Sequence, residues 1–174
     1  MSTSEYRAAR DTLLRLRDDR AGALEAFQWP DVGRRFNWAI DWFDAIARGN
    51  DRPALVVVSN DGTRDERSFD ELAQRSDQVA EWLRSLGVQK GDAVLLMLGN
   101  QVPLWESMLA IMKLGAVVVP TTTSLGADDL RDRIVRGGVR HVIVTAKDAP
   151  KFADVPGEYT RISVGDGARA GWND

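Results

Sequence analysis

No cysteine occurs in the chain, so disulfides, zinc–thiolate sites and thiol nucleophiles are excluded. Histidine occurs once, at His141. That rules out a two-histidine metal site and makes any Ser-His-Asp triad depend on one ring. His141 opens the apolar segment His141-Val142-Ile143-Val144, where a structural place in a strand is expected. Long hydrophobic runs are also lacking: Ala93–Leu98 and Ala116–Val119 are far too short to cross a bilayer. Met1–Glu5 lacks the basic-then-apolar pattern of a secretory signal, and a cytoplasmic location is expected. Charge of one sign does not accumulate. Lys and Arg number 23 against 26 Asp and Glu, a net charge of −3. Arg7, Arg10, Arg15, Arg17 and Arg20 alternate with Asp11, Asp18 and Asp19, the pattern of a solvated helix face. Neither nucleic acid nor a membrane is an expected partner.

The composition is globular, 44% hydrophobic and 28% charged, at a length of 174 residues that suits one ordinary domain. Ser4–Arg20 reads as an exposed amphipathic helix with a thin stripe of Tyr6, Leu13, Leu14 and Leu16. Trp29-Pro30 interrupts any helix beyond it. Trp38, Trp42, Phe43 and Ile46 share one face of a helix over Ala39–Arg48, with Asn37 as N-cap and Gly49 as C-cap. Ala54–Val58 and Thr63–Arg67 then read as a β-hairpin around an Asp-Gly turn at Asn60-Asp61-Gly62. Ser68 and Glu71 form a capping box for a helix that carries Leu72, Ala73, Ser76, Val79, Ala80 and Leu83 on one face and stops at Gly87.

Beyond Gly87, buried strands over Ala93–Leu98, Ala116–Val119 and His141–Thr145 alternate with helices over Pro103–Leu114 and Asp128–Arg136. Continuous apolar runs suit strands covered on both faces, and the order of elements predicts parallel pairing with right-handed crossovers. Tyr159–Val164 is a further candidate strand, and Gly165–Asp174 shows no periodicity.

Few residues point to chemistry. Asp128, Asp129 and Asp132 resemble a carboxylate pair, but two of them open a helix, where the dipole favours them. Gly165-Asp166-Gly167-Ala168-Arg169-Ala170-Gly171 lacks the following helix that a dinucleotide loop needs beneath a pyrophosphate. Pro120-Thr121-Thr122-Thr123-Ser124 lies beyond a strand's carboxyl end, where open parallel sheets bind ligands. Satisfying the loop and capping the helix near Ala127 is the plainer reading of those hydroxyls, and ligand contact is the alternative.

Five segments then carry a family resemblance. Leu86-Gly87-Val88-Gln89-Lys90-Gly91-Asp92-Ala93-Val94 resembles the helix-to-strand turn of adenylate-forming acyl- and aryl-CoA synthetases. Leu98-Gly99-Asn100, and Trp105 through Lys113-Leu114-Gly115-Ala116-Val117-Val118-Val119-Pro120, are similar to the family's next segment after that turn. Phe36-Asn37-Trp38-Ala39 and Arg52-Pro53-Ala54-Leu55 resemble the medium-chain acyl-CoA synthetase and acetyl-CoA synthetase branches. The resemblance covers roughly Phe36 to Phe152.

It implies an α/β fold: a β-hairpin plus a βαβαβ parallel sheet flanked by helices, the first subdomain of the large N-terminal domain of these ligases. Residues 1–35 are then an N-terminal helical extension, 36–164 an incomplete α/β subdomain of the AMP-binding domain, and 165–174 an irregular tail. The family joins a carboxylic acid to CoA through an acyl-adenylate, using ATP and Mg2+ and releasing AMP and pyrophosphate, a chemistry of fatty acid metabolism. The family's phosphate loop, adenine and ribose contacts, hinge and C-terminal lysine are expected beyond Asp174, so no catalytic residue is assigned and this chain alone is expected to be inactive. One family contact to CoA aligns near Ser124, where the relative has glutamine. A non-catalytic binding module derived from the family is the alternative. Of the six tryptophans, Trp38, Trp42, Trp105 and Trp172 are expected to line an apolar face prone to self-association.

Overall fold

Ser68 and Glu71, the strongest local signal in the sequence, do start a helix. In the computed structural model the Ser68 Oγ accepts from the Glu71 amide at 3.1 Å and the Glu71 carboxylate accepts from the Ser68 amide at 2.7 Å. The structure describes residues 2–167 and 170–174. They form two compact units, 1–46 and 47–174.

In the first unit, α1 (Ser2–Arg15) is followed by α2 (Arg20–Ala26). The single helix expected to Arg20 stops at Arg15. Asp19 turns the chain and caps the second helix, accepting from the Gly22 amide at 2.9 Å. Asn37 caps Trp38–Asp44 as expected, bonding the Ala39 amide at 3.0 Å. That segment winds as a wider π-helical turn before the short α3 (Ala45–Ala47), not as a regular α-helix. The wider turn brings Trp38 onto Phe43, five residues on, with ring centroids 6.1 Å apart. Trp42 packs on Tyr6 at 4.7 Å and under the Arg10 guanidinium at 5.1 Å.

The second unit opens with the hairpin β1 (Pro53–Val58) and β2 (Arg64–Ser68), antiparallel with Val58 opposite Arg64. Its turn is not the two-residue Asp-Gly form, which needs two positive φ angles. Only Gly62 is left-handed (φ 85°); Asp61 accepts from the Thr63 amide, and the Ser59 amide donates to the Thr63 carbonyl. Helix α4 (Phe69–Ser85) buries Leu72, Ala73, Ser76, Ala80 and Leu83. It closes on Gly87 (φ 93°), with the Val88 amide on the Leu83 carbonyl and the Gly87 amide on the Arg84 carbonyl, a Schellman motif. Ser68→Ala is expected to cost about 1 kcal/mol of unfolding free energy, measured by urea denaturation.

The remaining elements are β3 (Ala93–Met97), α5 (Val102–Lys113), β4 (Val117–Pro120), α6 (Ala127–Gly137), β5 (Val139–Thr145), a 3-10 turn (Ala149–Phe152) and β6 (Thr160–Val164). The four strands pair in parallel in the order β4-β3-β5-β6. All five β3 residues are buried, because its side chains alternate between two cores. Val94 and Leu96 meet Leu83 of α4 and Ile111 of α5 on one face. Leu95 and Met97 meet Leu130 and Ile134 of α6 and Phe152 on the other. The apolar run without alternation reflects this double coverage. Lys113 ties α5 to α4, donating to the Ala73 carbonyl at 3.0 Å and to Asp77 at 2.7 Å.

One further expectation needs correction. β4 was expected to be fully buried, but it is an edge strand, and Val117 is 52% exposed. The described part of the tail after β6 contains no helix or strand and makes one isolated bridge. Asn173 returns alongside β6, accepting from the Ser163 amide at 2.7 Å and donating its amide to Arg161 at 2.9 Å, while Trp172 packs edge-on against Phe152. The four tryptophans differ in exposure. Trp42 is buried and Trp172 is taken up by Phe152, which leaves Trp38 and Trp105 partly exposed.

Candidate functional site at the carboxyl edge of the sheet

The strand order decides where a ligand meets this sheet. From β3 the chain passes to β4 on one side, then returns past β3 to β5 on the other. The crossovers therefore diverge between β3 and β5, and open sheets bind ligands in the crevice outside the strands' carboxyl ends at such a point. Three loops leave the strands there: Leu98–Gln101 after β3, Thr121–Ser124 after β4 and Thr145–Asp148 after β5.

A polar network joins two of them. Thr145 donates its hydroxyl to Asp148 at 2.7 Å, and the Asp148 amide returns to the Thr145 hydroxyl at 3.2 Å. Lys151 pairs with Asp148 at 2.8 Å and also donates to the Thr123 carbonyl. The β5 loop thus holds the β4 loop in place. Asp148 is buried. Burial pushes its carboxyl up, but hydrogen bonds from Lys151 and Thr145, with the charges of Lys151 and Lys147, hold it below the usual carboxylate range.

Ser124 is exposed and shares a hydroxyl contact with Thr122 at 3.1 Å. Thr121 is buried, with its amide on the Leu96 carbonyl. None of these hydroxyls caps α6, whose N-cap is Gly126 without a side-chain bond. That part of the plainer reading is therefore not met, although the hydroxyls do bond within the loop. Thr122, Ser124 and Lys147 leave polar groups at the surface of this edge.

The other sequence candidates lie elsewhere. His141 is buried near the amino end of β5, with Nε2 3.2 Å from Asp92, and serves packing rather than the carboxyl edge. Asp128 pairs with Arg131 and Asp132 with Arg136 along α6. Among the described residues no helix contains Gly165, Gly167 or Gly171; Ala168 and Arg169, within that run, lie outside the described residues. Among the described residues, no group of three or more His, Cys, Asp or Glu is placed to hold a metal ion. None of the helices described is long and apolar enough to cross a membrane. The Thr145–Asp148–Lys151 network escapes sequence reading, although polar residues three apart directly after a buried strand are a usable signal.

An open parallel sheet with helices on both faces defines an α/β domain of the doubly covered class. The family model described as AMP-binding enzyme matches residues 42–170, and the chain belongs to that family. The mitochondrial acyl-coenzyme A synthetase ACSM5 of Mus musculus is 30% identical over 152 residues, covering 81% of this chain and 26% of its own length. The crystal structure of Brucella canis acyl-CoA synthetase superposes with a TM-score of 0.74 at 25% identity, covering 80% of this chain and 26% of that one. The anthranilate CoA ligase AuaEII, solved with anthranoyl-AMP, shares the fold at a TM-score of 0.69 and 22% identity, covering 83% and 28%. The chain thus spans about a quarter of the length of the curated relatives it matches. The hairpin and parallel sheet expected from the resemblance are the architecture of these ligases' N-terminal region.

Proposed function

We propose that this chain supplies the first α/β portion of an AMP-forming acid–CoA ligase. Such a ligase activates a carboxylic acid with Mg-ATP to an acyl-adenylate and passes the acyl group to CoA. The observation that carries this reading is the family match over residues 42–170, laid on a sheet whose carboxyl edge gathers the Thr121–Ser124 and Thr145–Asp148 loops. In this role the chain builds one wall of the site and provides no group that attacks or protonates. Ser124 and Thr122 offer exposed hydroxyls to CoA, and Lys151 holds their loop in position through the Thr123 carbonyl. ATP and Mg2+ are handled by a Ser/Thr/Gly-rich phosphate loop with a lysine, which does not occur in this sequence. The chain alone is therefore inert in this reading. A cytoplasmic setting and a part in fatty acid metabolism belong to the same proposal. The mouse relative is mitochondrial by its name, and fractionation of the source cells distinguishes the two locations.

The test has two arms. The chain alone is expected to show no carboxylate-dependent exchange of pyrophosphate into ATP; exchange would refute its inertness. Grafted in place of the matching quarter of a related acyl-CoA synthetase, it is expected to restore carboxylate- and CoA-dependent AMP release. A folded, soluble hybrid without that activity would point instead to a binding module that has left catalysis.

A further inference from the structure

Helix α5 is apolar except for Glu106, Ser107 and Lys113. Lys113 is consumed by its bonds to α4, but Glu106 is not. Only 7% of Glu106 is exposed, and the nearest cation, Arg75 Nε, lies 3.7 Å away, beyond hydrogen-bond distance. Arg75 instead donates to Gln78 at 2.8 Å. Among the described residues, no donor reaches the Glu106 carboxylate. Burial pushes its carboxyl above the usual range, with Arg75 and Arg67 opposing and Asp65 adding to the rise.

This carboxylate faces a cleft of 380 Å3 between α4 and α5, closed at the end of β6 by Val164. Val79, Trp82 and Pro103 give it apolar walls. The volume lies in the range of small-ligand pockets, and the lining is mixed, with Gln78, Ser107 and Ser163 adding polar groups beside the Glu106 carboxylate. Asp174 adds a second carboxylate, so the lining carries more negative than positive charge. A mostly buried carboxylate whose ion pair to Arg75 lies beyond hydrogen-bond distance keeps acceptor capacity for a cation that brings donors. An indole wall favours the same choice through cation–π attraction. None of these residues belongs to the loops assigned to CoA.

We propose that the α4–α5 cleft binds a small organic ammonium ion, its N–H groups donating to Glu106 and its apolar body lying against Trp82. This goes beyond the ligase reading and does not depend on it. The test titrates 2-phenylethylammonium chloride into the 15N-labelled chain, following the Trp82 indole N–H and the amides of Glu106 and Ser107. Saturable shifts confined to these groups are expected, with 2-phenylethanol at least about tenfold weaker because it cannot neutralise the carboxylate. Glu106→Gln, nearly isosteric, is expected to lose about tenfold in affinity. Arg75→Met, at an exposed position, removes the competing cation and is expected to bind severalfold tighter. Equal binding of the alcohol, undiminished binding by Glu106→Gln, weaker binding by Arg75→Met, or no saturable shift overturns the proposal.

Discussion

Phe152→Ala is expected to destabilise the chain by about 3–5 kcal/mol, seen as a lower urea midpoint with an unchanged slope. Phe152 is 1% exposed and among the largest fully buried side chains. It belongs to the core between the sheet and α6, where Tyr159 meets its ring at 6.3 Å and Trp172 at 5.9 Å, both edge-on. Truncation removes the transfer energy of the ring and leaves a cavity that the β-sheet on one side and α6 on the other cannot both close. The loss extends to the candidate site. Phe152 ends the 3-10 turn Ala149–Phe152, and Lys151, its neighbour, fastens the Thr123 carbonyl. Phe152→Leu retains most of the volume and is expected to cost about 1.5 kcal/mol or less. The Trp172 indole N–H resonance reports the packing directly. Full stability in Phe152→Ala would mean that the tail and the 3-10 turn do not form one packed layer.

The sequence made the second unit readable because its elements carry their own start and stop signals. Ser68 with Glu71 begins α4, Gly87 ends it, and Gly115 (φ 69°) ends α5 in the same way. The runs at β3 and β5 announced strands covered on both faces. β4 reads alike in sequence, since Val-Val-Val carries no record of how many neighbours it has, and only the strand order shows it as an edge. The π-helical turn at Trp38–Asp44 was hidden because Trp38, Trp42 and Ile46, spaced four apart, satisfy a 3.6-residue period, and only Phe43, five after Trp38, departs from it. At the site, the Thr121–Ser124 loop was found by its place after a strand. Its tie to Lys151 spans 28 residues of sequence, and no local pattern contains it. Glu106 was legible in principle, as an acid inside an apolar helix, but its lack of a donor is a property of packing.

Asp92→Ala is expected to cost about 3 kcal/mol, because it leaves buried polar groups without partners rather than because it removes a contact. Asp92 is 8% exposed at the entry to β3. Its carboxylate accepts the Gln89 amide at 2.8 Å, lies 3.2 Å from His141 Nε2 and pairs with Arg140 at 3.4 Å. Against an ionised carboxylate only a donor fits, which assigns the proton to Nε2. Nδ1 is buried and has no hydrogen-bond partner among the described residues, so loss of Asp92 strands both ring nitrogens. Asp92→Ala combined with His141→Val removes the stranded ring as well and is expected to regain part of the loss, which a double-mutant cycle measures. The acid limb of the stability curve gives an independent check. Burial pushes the Asp92 carboxyl up, but the Gln89 amide, the His141 hydrogen bond and the charges of Arg140 and His141 hold it below its ordinary value. A folded value below the unfolded one means that its contribution is full at neutral pH and is lost as pH falls through the folded value, below about pH 4. Asp92→Asn is expected to be flatter over that window, the remaining slope coming from groups also held low, Asp61, Asp77 and Asp148 among them. An unchanged acid slope in Asp92→Asn, together with additive loss in the cycle, would show that Asp92 and His141 act separately.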